Sequence, residues 1–236
     1  SSPYSSLTLK PPLSGVLQDY VVVPAEDAVA TPAHLTDVEA ASLPIAALTA
    51  WSTLEEGDVK PGDVVVVQGT GGVALFGLQF AKLAGATVIV LSSSDDKLRR
   101  AKELGADIGI NYRTTPDWHV AVRDGTDGRG ADIVIETAGA TLQKSLSALA
   151  FGGFIGVVGF VAGYEATIPL RQLLGPMIRV QGIAVGSRTR FEAMNRAIAK
   201  HQLHPVIDSV HPLEKSADAF RHLSSGQHFG KVAISM

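Results

Sequence analysis

The stretch that decides the fold of this chain reads Val64-Val65-Val66-Val67-Gln68-Gly69-Thr70-Gly71-Gly72-Val73-Ala74. Its four consecutive valines are typical of a strand that is buried on both faces, as in a parallel sheet. Gly69, Gly71 and Ala74 then occupy the positions of a G-x-G-x-x-G/A turn. Such a turn lets the backbone approach a pyrophosphate and places that group at the N-terminus of the next helix. The motif alone is weak, so its neighbours decide whether a dinucleotide site is predicted.

Composition is that of a globular protein and excludes several kinds of site. The chain has 236 residues, of which 46% are hydrophobic and 18% charged, enough for one large domain or a domain with an added lobe. Its net charge of −3 gives no general attraction to nucleic acid or to anionic membranes. Because it has no cysteine, it has no disulfide, thiolate zinc site or cysteine nucleophile.

The sequence carries no signal of membrane insertion or export. It has no uninterrupted apolar stretch of about 18 residues, and its first residues lack the charged-then-apolar layout of a signal peptide. We therefore expect a cytoplasmic protein that binds neither membranes nor nucleic acid.

Predicted strands and helices alternate after the valine strand. Helices are predicted over 72–84, 95–104, 117–124, 142–150 and 191–200, and strands over 87–91, 108–111, 132–136, 154–158 and 178–185. Repeated strand–helix units with right-handed crossovers indicate an α/β fold, a doubly wound parallel sheet with helices on both faces.

Both ends of the chain depart from this alternation. The N-terminal part predicts a strand over 18–23 and a helical region over 37–50 that is interrupted at Pro44. The C-terminal part predicts a strand, a helix and a final strand over 206–208, 214–223 and 231–235. We therefore assign residues 51–200 to a dinucleotide-binding domain and residues 1–50 and 201–236 to a second lobe.

The end of the second predicted strand indicates which nucleotide would bind. An NAD-preferring site has a carboxylate there to accept the ribose 2′-hydroxyl, but this strand ends in Ser92-Ser93-Ser94. Three hydroxyls followed by Lys97 suit a 2′-phosphate better, because they donate hydrogen bonds and the ammonium neutralises its charge. We predict NADP(H) in preference to NAD(H). The alternative is that the serines form an ordinary turn and helix cap.

Several blocks in the same order resemble the medium-chain dehydrogenase/reductase superfamily, in particular its zinc-independent, alcohol dehydrogenase-like and quinone oxidoreductase-like branch. They are Leu43-Pro44 with Leu48-Thr49-Ala50-Trp51, Pro61-Gly62-Asp63, the glycine turn, residues 97–107, Asn111-Tyr112-Arg113 and Phe229-Gly230-Lys231-Val232. The resemblance runs from about residue 15 to the C-terminus. It implies a Rossmann sheet of strand order 3-2-1-4-5-6, with residues 1–50 and 201–236 in a reduced GroES-like catalytic lobe.

The resemblance also implies roles for individual residues. Thr49 and Val73 would lie beside the nicotinamide. The adenosine end would be held by Ser92, Ser93, Lys97 and Tyr112. Further cofactor contacts would come from Gly69, Thr70, Gly71, Gly72, Ala138, Gly139, Val158, Gly159, Phe160, Val185 and Lys231. For each residue, the alternative is core packing or a place in a surface turn.

The chain departs from the family pattern in two ways. We expect it to lack most of the catalytic lobe that family members carry ahead of the corresponding point. Zinc-dependent members also place a cysteine four residues before the threonine that corresponds to Thr49, where this chain has Ile45. Since Ile45 cannot bind a metal and the histidines show no metal-type spacing, we expect no zinc.

These features favour an NADP(H)-dependent oxidoreductase that reduces an enone, a quinone or a related conjugated carbonyl compound without zinc. The candidates for a proton donor are Tyr20, Tyr164 and His228, each with a structural role as the alternative. Two other functions stay open because of the reduced lobe. One is a non-redox cyclase or isomerase that uses the vacated cleft, and the other is a non-catalytic NADP-binding module.

A homodimer is also expected. Residues 180–185 are apolar and uncharged and are predicted to form an edge strand of the sheet. An exposed edge of this kind invites pairing with its own copy.

Overall fold

A computed structural model describes residues 16–236, and its main body is a six-stranded parallel sheet. The strands are β1 (Val64–Gln68), β2 (Thr87–Ser92), β3 (Ile108–Asn111), β4 (Ala131–Glu136), β5 (Leu149–Val157) and β6 (Arg179–Gly182). Their order is 3-2-1-4-5-6, so the predicted doubly wound sheet and its order are confirmed. The first 15 residues of the predicted N-terminal lobe lie outside the described residues.

Helices pack on both faces of this sheet. They are α1 (Asp37–Ala41), α2 (Leu48–Glu56), α3 (Gly72–Leu83), α4 (Asp95–Glu103), α5 (Trp118–Asp124), α6 (Leu142–Ala148), α7 (Leu170–Leu174), α8 (Arg188–His201) and α9 (Ser216–Ser225). The predicted interruption at Pro44 takes the form of a π-helical turn, Leu43–Ala47, which joins α1 to α2. Pro44 lies in the first turn of that segment, where a missing N–H costs little. Among the described residues, no helix is long and apolar enough to cross a bilayer.

The valines of β1 explain why the core has two layers. Successive side chains of a strand point to opposite faces. Val65 and Val67 belong to the same buried cluster as Phe76 of α3 on one face, and Val66 belongs to the cluster of Trp118 of α5 on the other. All of β1 is buried, which accounts for its unbroken apolar sequence.

The C-terminal tail forms a separate parallel sheet of two strands, β7 (Ile207–Pro212) and β8 (Lys231–Ser235). A β-bridge between Gly71 and Gly230 joins this tail to the main body. The Gly230 N–H donates a hydrogen bond of 2.9 Å to the Thr70 carbonyl. The tail is therefore docked at the carboxyl end of β1.

One prediction about the N-terminal part is wrong. Residues 18–23 are irregular instead of a strand, and Tyr20 and Val22 are 90% and 88% exposed. A strand is stable only beside a partner, and none within residues 16–236 pairs with this segment. At the other edge, β6 is the terminal strand as predicted, although it ends at Gly182 instead of at residue 185. The division at residues 50 and 200 stays a prediction.

Candidate functional site

A cavity of about 720 Å³ lies at the carboxyl ends of β1, β2, β4 and β5. In open parallel sheets this edge is where ligands bind. The structure brings most of the predicted cofactor residues together on its walls, namely Gly69, Thr70, Gly71, Gly72, Val73, Ser92, Ser93, Lys97, Tyr112, Ala138, Val158 and Gly159.

The glycine turn leads into the N-terminus of α3, where backbone N–H groups can bind an anion. Gly69 has a φ of +83°, a conformation that side chains other than glycine rarely adopt. The first bond within α3 runs from the Leu75 N–H to the Gly71 carbonyl, 3.0 Å. The N–H groups of residues 72–74 thus have no partner within the helix, and no side chain caps it. Because a Cβ at Gly71 would meet nothing nearer than 4.0 Å, the space over the turn fits a pyrophosphate.

A fully buried carboxylate, Glu136, lies at the end of β4 beside the cavity. It accepts hydrogen bonds from the Gln68 amide (2.7 Å), the Thr141 hydroxyl (2.9 Å), the N–H groups of Ala138 (3.0 Å) and Gly139 (2.9 Å), and the Ser145 hydroxyl. Since Gln68 directly precedes the glycine turn, this network joins that turn to the loop after β4.

The Glu136 network was not predicted from the sequence. Its only signal was the glutamate that ends the apolar strand Ala-Asp-Ile-Val-Ile-Glu over residues 131–136. A carboxylate in such a position is either exposed or supplied with several donors, because an unpaired buried charge is costly. The sequence does not show which donors meet it.

At the adenosine end of the cavity, two of the three serines already have backbone partners. The Ser94 hydroxyl accepts the Lys97 N–H (3.4 Å) and caps α4, and the Ser92 hydroxyl accepts the Ser94 N–H (3.3 Å). The alternative interpretation as a turn and helix cap therefore describes Ser92 and Ser94. Neither of these bonds involves Ser93.

The Lys97 side chain links the cavity to the tail. Its ammonium donates to the carbonyls of Gly226 (2.6 Å) and His228 (2.9 Å). Burial lowers the pKa of Lys97, against an opposing effect of Asp208. An ammonium has three N–H donors, so one is left for a ligand.

The tail supplies a wall of the cavity through Gly226 and His228. Two contacts hold this wall in place. The Phe229 N–H donates to Asp208 Oδ1 at 2.9 Å, and the Arg100 guanidinium lies 4.1 Å from the centre of the Phe229 ring. His228 is one of the three predicted proton-donor candidates, whereas Gly226 is a cavity residue that was not predicted.

Lys231, which follows the β-bridge, packs its aliphatic chain against the start of α3. A Cβ added at Gly72 would lie 2.6 Å from Lys231 Cδ, so glycine is required there for this contact. Burial lowers the pKa of the Lys231 ammonium.

Five predicted cofactor residues do not line the main cavity: Thr49, Gly139, Phe160, Val185 and Lys231. Thr49 is buried, and its hydroxyl donates to the Ile45 carbonyl at 2.7 Å. Val185 has a φ of +64°, which is unusual for a β-branched residue and marks a strained backbone. Phe160 lines a smaller adjoining cleft beside Tyr164, with 4.8 Å between the ring centres.

The three proton-donor candidates therefore lie in different places. Tyr20 lines neither cleft, Tyr164 lines the adjoining cleft, and His228 lines the main cavity. No group of three or more histidine, cysteine, aspartate or glutamate side chains with metal-site geometry occurs within residues 16–236.

Known proteins with similar sequences are dehydrogenases and reductases. The chain is 43% identical over 230 residues to a zinc-type alcohol dehydrogenase-like protein of Schizosaccharomyces pombe, covering 94% of this chain and 66% of that protein. It is 31% identical to a 2-haloacrylate reductase of a Burkholderia species, covering 96% and 72%. The chain thus spans about two thirds of the length of the curated relatives it matches.

Solved structures give the same result. An NAD-dependent alcohol dehydrogenase superposes with a TM-score of 0.87 at 39% identity, over 94% of this chain and 65% of that one. A 2-octenoyl-CoA carboxylase reductase, solved with NADP and 2-octenoyl-CoA, superposes with a TM-score of 0.81 at 29% identity, over 87% and 51%.

The family model described as zinc-binding dehydrogenase matches residues 72–200, the segment from the start of α3 to the end of α8. This match covers more than half of the chain and includes most of the sheet described above. The chain therefore belongs to the medium-chain dehydrogenase/reductase superfamily.

Proposed function

We propose that this protein is an NADP(H)-dependent oxidoreductase that reduces an enone, a quinone or a related conjugated carbonyl compound without zinc. The observation that carries the proposal is the open space over the glycine turn, where residues 72–74 line the cavity and their N–H groups have no partner within the helix. Two relatives have names that refer to α,β-unsaturated compounds, a haloacrylate and an octenoyl thioester. These names support a conjugated substrate.

In this proposal the residues of the chain bind and orient the nucleotide. The N–H groups at the start of α3 hold the pyrophosphate, and the apolar side chains of Val73 and Val158 line the cavity beyond it. When bound, the nicotinamide supplies the hydride. The protein positions the nucleotide and excludes water at this wall of the cavity.

The preference for NADP(H) is supported by Ser93 and Lys97. Both line the cavity, and the Lys97 ammonium has one N–H donor beyond those given to the tail. A 2′-phosphate pairs well with such donors. Since one solved neighbour is named as NAD-dependent and another holds NADP, the neighbours give no preference.

The absence of zinc chemistry is supported by Ile45. Its hydrocarbon side chain stands where zinc-dependent members carry a cysteine ligand, and it is 57% exposed.

Mixing the purified protein with NADPH or NADH and a panel of enones and quinones, and following the loss of nicotinamide absorbance, tests the proposal. We expect turnover with at least one acceptor and faster turnover with NADPH. Tight NADPH binding without turnover would instead favour a non-redox enzyme or a binding module. No binding of either nucleotide would remove the cofactor assignment itself.

We further propose that the protein self-associates through β6, an edge strand of the sheet. Pairing with a second copy would cover the unpaired backbone groups of that edge. Light scattering at high protein concentration should give the mass of a dimer, and a monomer would contradict the proposal.

A further inference from the structure

We propose that His228 is a proton-linked ligand of the nucleotide pyrophosphate, so that the protein takes up a proton at this ring when NADP(H) or NAD(H) binds. The inference rests on the proposed function and adds a ligand from the C-terminal tail to the backbone donors of the glycine turn.

Backbone contacts at residues 228, 229 and 230 hold His228 in position. The β-bridge between Gly71 and Gly230 ties the following residues to the turn. The His228 carbonyl accepts the Lys97 ammonium at 2.9 Å, and the next residue, Phe229, donates its N–H to Asp208 at 2.9 Å. A segment fixed at three consecutive residues can present its side chain without a large cost in conformational entropy.

The imidazole ring of His228 lies beside the glycine turn. His228 Nε2 is the nearest atom to a Cβ placed on Gly71, at 4.0 Å, and the residue lines the cavity. Its Nδ1 is buried and has no hydrogen-bond partner among residues 16–236. A pyrophosphate on the glycine turn would therefore lie beside Nε2, whereas the buried Nδ1 is closed off from the cavity. An anion beside Nε2 would favour the protonated form of the ring.

Burial and the charged groups around the His228 ring shift its pKa. Burial lowers the pKa of His228, and the nearby cation Lys97 of α4 lowers it further. Asp208 of β7 acts in the opposite direction, while His222 of α9 and Lys231 of β8 add to the lowering. Together these effects hold the pKa of the ring below its ordinary value and favour its neutral form in the free protein. An anionic pyrophosphate would reverse this balance and raise the pKa.

The direction in which pH changes nucleotide affinity follows from the difference in the His228 pKa between the complex and the free protein. If the pKa of His228 is higher in the complex than in the free protein, binding takes up a proton at any pH between the two values. The nucleotide dissociation constant should fall as the pH is lowered through that window, by up to about tenfold per pH unit. Below the pKa of the free protein the dependence should disappear.

Calorimetric titration with NADPH tests the inference, in buffers of equal pH and different ionisation enthalpy. The proteins are the wild type, His228→Gln and the control His201→Gln, which changes an exposed histidine outside the cavity. We expect the wild type and His201→Gln to take up a fraction of a proton per nucleotide. His228→Gln should bind about threefold to tenfold more weakly with no uptake. Unchanged proton uptake in His228→Gln would overturn the inference and leave the proposed function intact.

A second measurement needs no variant. The ring protons of His228 can be titrated by NMR in the wild-type protein with and without saturating NADPH. A higher pKa in the complex supports the inference, and an equal or lower one contradicts it. Failure of the wild type to bind NADPH or NADH would instead remove the proposed function on which the inference rests.

Discussion

The glycine turn (residues 69–74) and the serine turn (residues 92–94) line the same cavity but are built in different ways. The glycine turn presents backbone, with N–H groups at the start of α3 that have no partner within the helix and no side-chain cap. The serine turn presents side chains, and two of its three hydroxyls accept the backbone N–H groups of Ser94 and Lys97. A site made of backbone can be recognised from the spacing of its glycines together with the strand and helix on either side of them. A site made of side chains depends on which partners the rest of the chain supplies.

The largest effect is expected from Glu136, whose network supports the glycine turn through Gln68. Glu136→Ala should lower the free energy of unfolding by roughly 3 to 5 kcal/mol, because several buried donors lose their acceptor. Urea denaturation measures this. Glu214→Ala, an exposed control, should change it by less than about 0.5 kcal/mol. Equal midpoints for the two variants would show that the network does not stabilise the fold.

Gly71→Val should separate binding from stability. A side chain at Gly71 meets only His228 at 4.0 Å, so the free energy of unfolding should change by less than about 1 kcal/mol. NADPH binding should weaken roughly 100-fold, because the side chain fills the space for the pyrophosphate and displaces one or two charge-assisted hydrogen bonds. Fluorescence titration of NADPH checks this.

The control for that variant is Gly182→Val, at an edge-strand position that also has open space around its Cβ. It should bind NADPH like the wild type. Tight binding by Gly71→Val would mean that the pyrophosphate does not lie over the glycine turn.

Ser93→Asp tests the serine turn in the same way. A carboxylate at this position should repel a 2′-phosphate and weaken NADPH binding about tenfold, while NADH binding stays within about threefold. The ratio of the two dissociation constants is the measurement. Ser224→Asp, on an exposed face of α9, adds the same charge elsewhere. If both variants keep the wild-type ratio, Ser93 does not help to choose the nucleotide.

The smallest effect is expected from a change at Asp208, in strand β7 of the C-terminal tail. Burial opposes ionisation of Asp208, but hydrogen bonds from His222 and the Phe229 N–H outweigh it and hold the pKa of Asp208 below its usual range. Because the folded-state pKa is lowered, Asp208 stabilises the protein above its unfolded-state pKa. This contribution is lost as the pH falls through the folded-state value.

Asp208→Asn should therefore flatten the fall in unfolding free energy between about pH 5 and pH 2, by about 1 kcal/mol over the range. Denaturation at a series of pH values measures the slope. Asp19→Asn, at an exposed position, should keep the wild-type slope. The same slope in Asp208→Asn would exclude Asp208 as the source of this acid sensitivity.

The sheet could be predicted from the sequence because each of its central strands carries its own signal. The four valines of β1 indicate a strand that is buried on both faces, and β1 is buried throughout. The glycines after them indicate the turn that leads into α3. The strand order came from the resemblance of several blocks in sequence, and the structure confirms it.

The remaining features depend on contacts between distant residues. Glu136 is satisfied by groups on β1 and α6, and Lys97 is bound by carbonyls more than a hundred positions further along the chain. Residues 18–23 have the composition of a strand, but no described strand pairs with them. Local patterns contain no information about such partners, which explains why these predictions failed or were never made.

The structure of the protein with NADPH bound tests the central claim most directly. The account predicts a pyrophosphate within hydrogen-bond distance of the N–H groups of residues 72–74, with the adenosine phosphate near Ser93 and Lys97. A nucleotide bound elsewhere, or one whose pyrophosphate does not contact the start of α3, would contradict it.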